Sequence, residues 1–376
     1  MTDTEAAERN LLIYTGPGSS NSWVWLADFL EGHGFLGSRF VPNASDILQA
    51  PDSSTLIVPG GDTFRIAETF GESGLAALKD KISRGMGYLG ICAGAYLPLK
   101  SSIVPLSSFN LISAKISNIS SALPAGIADP NKFSVRYGCS FVFHPARGPV
   151  KLSGDMDLVA PIYGGPFLIP SNGETAHLAF AGMTEGTELL ADRELYERVS
   201  RGKAACIEGR YGKGRVVAIA PHLEHPDYPQ ANEYLRNLIL DFPSGERMES
   251  LRTGDIANGR ELRSTVADLR VLANALDSRT WKIGVKYWES DKLLFYIDAI
   301  RKRITRDGDR STAPTEVLAC LKNAKRDLKT LQECDDEQIL GSAIESLSAG
   351  ASLFLTAHFA RLHEEFSHDS ADNERQ

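Results

Sequence analysis

One stretch limits what this chain can become: Tyr88-Leu89-Gly90-Ile91-Cys92-Ala93-Gly94-Ala95-Tyr96. An apolar run leads into a cysteine set between two glycines, and a helix-compatible run follows. A nucleophile on a sharp strand-to-helix turn sits in a strained backbone conformation. Side chains two residues to either side crowd such a turn, so glycine fits there. The turn also places the sulfur at a helix N-terminus, where the backbone dipole favours thiolate. The same residues read equally well as a small buried cysteine packed beside flexible glycines.

Leu11-Leu12-Ile13-Tyr14 reads as a buried first strand. A loop follows at Gly16-Pro17-Gly18-Ser19-Ser20, then a helix from about Asn21 with Trp23, Leu26, Phe29 and Leu30 on one face. The loop lacks the third glycine of a dinucleotide fingerprint. It reads either as a ligand loop or as a plain connection. Phe40-Val41 is a weak strand, and Thr55-Leu56-Ile57-Val58 is a stronger one running into Pro59-Gly60-Gly61-Asp62. Without a Cβ in the way, backbone N–H groups at such a glycine pair can point at a ligand. An amphipathic helix carries Leu75, Leu78 and Ile82 on one side, and then comes the cysteine turn. Strand and helix alternating in this way imply a parallel sheet flanked by helices, with both glycine loops at the ligand-binding edge.

From Ile103 to about Pro170 the pattern is strand-rich, with alternating runs at Phe133–Tyr137 and Ser140–Phe143 and a second glycine pair in Tyr163-Gly164-Gly165-Pro166. Ala176–Ala181 is a further strand. Ala204–Glu208 and Gly214–Ala220 suggest a hairpin around Tyr211-Gly212-Lys213-Gly214, which delivers His222-Leu223-Glu224-His225. Asn232–Leu240 reads as a closing helix. After Phe242-Pro243-Ser244-Gly245 glycine and proline become rare and charges dense. Leu262, Val266, Leu269, Leu272 and Leu276 form one helical stripe; Val317, Leu321, Ala324, Leu328 and Leu331 form another. With Tyr287–Ile304 and Ile339–Phe366 they suggest a bundle of about four helices joined by short loops such as Asp307-Gly308-Asp309. The expected layout is an α/β domain over 1–245, an all-α domain over 246–366 and a disordered tail over 367–376.

The net charge of -8 argues against a general nucleic-acid binder. Five cysteines without a CxxC pair suggest a reducing compartment with a thiol free for chemistry. The acidic first residues lack an apolar signal core. The most apolar late run, 349–360, is interrupted by Ser352, Thr356 and His358, so no membrane span is expected. These features together point to a cytoplasmic protein that needs neither a cofactor nor a metal.

His222 and Glu224 stand two apart at a strand end, so one carboxylate could orient one imidazole. A cysteine, a histidine to exchange its proton and a carboxylate to fix the histidine make a nucleophilic triad. Gly60, Gly61 and Ala93 could supply N–H groups to a developing oxyanion. A strand-end histidine capped by a nearby acid is the plainer alternative for His222. His144 and His177 read as satisfied strand histidines, and His225 as either structural or substrate-facing.

This combination resembles the class I glutamine amidotransferase-like superfamily through Pro59-Gly60-Gly61, Gly90-Ile91-Cys92-Ala93-Gly94 and His222-Leu223-Glu224. Within that group it looks more like the amino-terminal domain of eukaryotic-type biotin–protein ligases, through Tyr14-Thr15-Gly16-Pro17-Gly18-Ser19 and Tyr163-Gly164-Gly165-Pro166. The resemblance covers about residues 10–242. It implies a flavodoxin-like α/β sandwich and a Cys92–His222–Glu224 triad, with Gly16, Ser19, Tyr163, Gly164 and Gly165 bordering the substrate. The ligase's own catalytic part, with its biotin loop, is absent from this chain, and no synthase domain that would receive ammonia is found.

Three functions follow. The first is a thiol hydrolase or amidotransferase-like enzyme acting on a small-molecule amide or related carbonyl. The second is a non-catalytic binding or regulatory module whose C-terminal helices contact a protein partner. The third is redox sensing by Cys92, for which no resolving cysteine lies nearby in sequence.

Overall fold

The computed structural model describes residues 3–117, 145–189, 192–244, 256–277, 279–283, 286–308 and 313–373. The strand expectations at Phe133–Tyr137 and Ser140–Phe143, together with His144 and Asp309, lie outside them.

In chain order the first part runs α1 (Asp3–Ala7), β1 (Leu11–Tyr14), α2 (Trp23–Gly32), β2 (Ser38–Val41), α3 (Ala44–Gln49), β3 (Thr55–Val58), α4 (Thr63–Arg84), β4 (Gly87–Ile91) and α5 (Ala93–Tyr96). It continues with β5 (Lys115–Ile116), β6 (Ala146–Gly154), β7 (Leu158–Ile162), β8 (Leu168–Ile169), β9 (Thr175–Met183), β10 (Glu188–Leu189), α6 (Arg193–Ser200), β11 (Ala204–Tyr211), β12 (Gly214–Ile219) and α7 (Pro229–Leu240). The second part holds α8 (Gly259–Asn274), the strands β13 (Thr280–Ile283) and β14 (Lys286–Glu289), α9 (Asp291–Asp307), α10 (Thr315–Leu331) and α11 (Glu337–Asn373).

Strands β2-β1-β3-β4-β12 run side by side and parallel. Counting these five in sheet order, the arrangement is that of flavodoxin-like folds, in which the chain reverses its direction of growth between the first and third strands. The sheet then continues through β11, β9 and β6 with antiparallel pairing, so it is mixed. The central strands are buried on both faces: Leu11 and Ile13 join one core, Leu12 and Tyr14 the other. That is why β1 and β3 read as unbroken apolar runs. Helix α4 covers one face with Ile66, Leu75, Leu78 and Ile82. Helix α2 covers the other with Trp23, Leu26, Phe29 and Leu30, and the C-terminal helices join that same core.

The C-terminal helices α8 to α11 pack together through the two expected stripes. Two sequence expectations need correcting. The segment 286–289 is the second strand of a hairpin paired with 280–283, and the helix begins only at Asp291. The last helix continues to Asn373, past the start of the expected tail.

Helix α11 explains its own polar interruptions. Strand β2 is the sheet's edge, with backbone groups that need partners. Thr356 Oγ1 accepts from the Phe40 N–H at 3.0 Å, and Ser352 Oγ donates to the Phe40 carbonyl at 3.0 Å. Four residues apart, these hydroxyls share one helix face and cap the edge. His358 binds Glu31 at 3.0 Å and Asp307 at 3.3 Å. Arg303, fully buried, holds Glu31 and Asp28 of α2 at 2.6 and 3.1 Å. Glu31 is thereby held well below the usual carboxylate range: burial works against ionisation, and the His358 and Arg303 contacts outweigh it. By length and composition alone α11 could cross a membrane, contrary to the sequence expectation, yet half of its most apolar window is buried within the protein.

Candidate active site

Loops following β1, β3, β4 and β12 all leave the same edge of the parallel sheet. The first two meet directly: Ser19 bridges Gly61, Ser20 N–H donates to the Gly60 carbonyl at 2.8 Å, and Asp62 N–H donates to the Gly18 carbonyl at 2.7 Å. A Cβ on Gly61 would stand 2.0 Å from the Gly18 oxygen, so no side chain fits there.

Cys92 occupies the turn between β4 and α5 at φ 53°, ψ -105°, in the positive-φ region that L-residues avoid. Its flanking glycines are required by close approach: a Cβ on Gly90 would meet the Gly94 oxygen at 2.2 Å, and one on Gly94 the Val58 oxygen at 2.0 Å. The turn is pinned by Cys92 N–H to Ile219 O at 2.8 Å, Tyr88 O–H to Gly94 O at 2.7 Å and Thr63 O–H to Ala93 O at 2.7 Å. Such over-determination is what holds a strained residue in place. The helix after Cys92 has only four residues, so its dipole is much weaker than the sequence suggests.

His222 and Glu224 are buried, at 3% and 1% exposure. Nδ1 of His222 lies 2.7 Å from Glu224 Oε1. The Cys92 side chain acts electrostatically on the same imidazole. Burial pushes the imidazolium down, but the Glu224 carboxylate and the Cys92 sulfur outweigh it and raise His222 to about 10. The expected histidine–carboxylate pair is present, but its geometry is not that of an extended segment. Strand β12 ends at Ile219, and residues 223–224 form a turn. Asn232 of α7 clamps that turn by donating to the carbonyls of Leu223 at 2.6 Å and His225 at 3.1 Å.

Gly60 packs on the histidine: a Cβ there would lie 3.0 Å from His222 Cε1. Among the described residues the N–H groups of Gly60, Gly61 and Ala93 have no backbone acceptor. Tyr163 lies 5.5 Å from His222, ring to ring. Gly164 accepts from the Tyr96 hydroxyl at 3.0 Å, and Gly165 packs against the Ala220 carbonyl. Gly16 is set back beside Pro42 and accepts from Ser19, so it shapes the loop from behind.

The residue that sequence reasoning missed is Trp25. It stands edge-on to His222 at 5.6 Å and 4.4 Å from the His225 ring. His225 is pushed down by burial and packs against Trp25 and Tyr228. His177 is far from Cys92 in sequence and pairs with Asp155 at 2.8 Å and Glu208 at 3.3 Å. Cys206, fully buried, has its thiol pushed far up by burial, and Cys320 is raised for the same reason.

Residues 9–103 match the family model described as biotin-protein ligase, N terminal. No curated protein matches. A glutamine amidotransferase crystal structure aligns at 13% identity and TM-score 0.39, over 61% of this chain and 98% of that one. A candidate GMP synthase component from Thermoplasma acidophilum aligns at 15% and 0.36, over 61% and 92%. A ThuA-like protein from Bacteroides uniformis aligns at 13% and 0.38, over 64% and 95%. At such scores these likenesses carry nothing about chemistry.

Proposed function

We propose that the protein is a cysteine-nucleophile hydrolase or amidotransferase-like enzyme acting on an amide or related carbonyl. One observation carries this reading: a buried imidazole paired with a carboxylate at 2.7 Å and raised further by the side chain of a cysteine that is itself held at positive φ. Structural cysteines do not need either feature.

The Cys92 thiol gives up its proton to His222, and its sulfur attacks the carbonyl carbon so that a C–S bond forms. Negative charge collects on the former carbonyl oxygen, which accepts from the N–H groups of Gly61 and Ala93. His222 gives its proton to the leaving nitrogen as the C–N bond breaks, while Glu224 keeps the ring oriented. Water, giving a proton to His222, then attacks the thioester and releases the carboxylic acid and the free thiol.

The test is incubation with iodoacetamide and a small panel of amides, followed by intact-protein and peptide mass spectrometry. Adduct formation at Cys92 well ahead of Cys206 and Cys320, together with amine release from at least one amide, supports the reading. Labelling of Cys92 no faster than Cys320 overturns it.

A further inference from the structure

This inference rests on the enzymatic reading above and names the kind of substrate it would take. Trp25 contacts four rings at once: His222 edge-on at 5.6 Å, His225 at 4.4 Å, Tyr163 at 6.1 Å and Phe295 at 5.8 Å. The histidine of the pair is buried, whereas Trp25, Tyr163 and Phe295 are each only partly buried. Trp25 and Tyr163 thus lie beside the imidazole, and Phe295 joins them through Trp25.

Phe295 comes from α9, in the C-terminal part. Its position is fixed by its neighbour Tyr296, which is buried against Trp23 of α2 at 5.6 Å. Trp23 and Trp25 project to different sides of α2, so one anchors α9 and the other meets its outward ring. The hydroxyls of Ser20 and Ser22, 2.9 Å apart, lie beside Gly60, which packs on the His222 ring. Flat apolar walls with a few placed polar groups are the usual make-up of a small-molecule site.

We propose that Trp25, Tyr163 and Phe295 form the substrate-binding wall of the Cys92 site, and that the substrate carries an aromatic or other flat apolar group next to its scissile carbonyl. Stacking on exposed ring faces rewards such a group. Free glutamine, with an ammonium and a carboxylate on one carbon, gains nothing from this wall and loses hydration against it. The C-terminal helices thus complete the site and do more than decorate it.

The test compares two probes on the full chain, iodoacetamide and N-phenyl iodoacetamide, each normalised to its rate with free cysteine. Second-order labelling of Cys92 is followed by mass spectrometry. The wild type favours the phenyl probe by about tenfold, the size expected for one good aromatic contact. Phe295→Ala and Trp25→Ala lower that ratio toward one. Phe295→Leu, which keeps apolar bulk for folding, lowers it as well because the flat face is gone. Val271→Ala, on the exposed side of α8, keeps the wild-type ratio. A wild-type ratio near one, or a ratio unchanged in both Phe295 variants, overturns the inference while leaving the nucleophile intact. Iodoacetamide labelling of Cys92 no faster than Cys320 instead removes the enzymatic reading itself.

Discussion

Glu224 reaches back 2.7 Å to Nδ1 of His222 across a turn of only two residues, and Asn232 holds that turn closed. The pair is buried, so the charge on the ring is stabilised by its neighbours rather than by water.

That arrangement gives stability a pH dependence. Folding raises His222 from an ordinary 6.5 to about 10. A group raised on folding contributes fully below its unfolded value, and the contribution fades as pH climbs through the folded value. Denaturant midpoints should therefore fall between about pH 6.5 and pH 10 in the wild type. Glu224→Gln removes the strongest raising influence, so the fall becomes shallower and shifts to lower pH. Urea titrations at several pH values check this, and an unchanged slope in the variant contradicts it.

Backbone strain at Cys92 predicts an unusual ranking of substitutions. Glycine ordinarily costs stability relative to alanine. At φ 53° the order reverses, because alanine keeps the Cβ that this region disfavours. Cys92→Gly should be more stable than Cys92→Ala by about 1 kcal/mol in chemical denaturation. The opposite order would mean that the turn is relaxed.

Edge capping by α11 predicts a cost at residues that touch no site. Ser352→Ala with Thr356→Val leaves the Phe40 N–H and carbonyl without their hydroxyl partners. Each buried group left unpaired costs about 1–3 kcal/mol. The double variant should melt several degrees lower and aggregate more readily on heating, read by calorimetry and light scattering. A melting point equal to the wild type's would show that water replaces the hydroxyls.

Much of the α/β part was legible because its signals are local. Leu11–Tyr14 and Thr55–Val58 are apolar on both faces, and the glycines around Cys92 report a steric demand of the turn itself. What depends on distant contacts was not legible. Trp25 falls outside the inward stripe of Trp23, Leu26, Phe29 and Leu30, and only the placement of His222 and Phe295 gives it meaning. Ser352, Thr356 and His358 looked like blemishes in an apolar helix until β2 and Glu31 came to lie against them. The end of the second hairpin strand, 287–289, reads as the start of a helix because a short apolar run has no decisive period. The antiparallel half of the sheet left no clear topological signal, since pairing order there is set by packing.

The most direct measurement is the second-order rate of Cys92 alkylation by iodoacetamide at pH 7, in the wild type and in His222→Gln, with folding of both verified by circular dichroism. The wild type should label Cys92 faster than Cys320, and the variant should label it at least about tenfold more slowly, the lower part of the range for a lost acid–base partner. Equal rates in the two proteins would contradict the account, because the sulfur would then owe nothing to the histidine beside it.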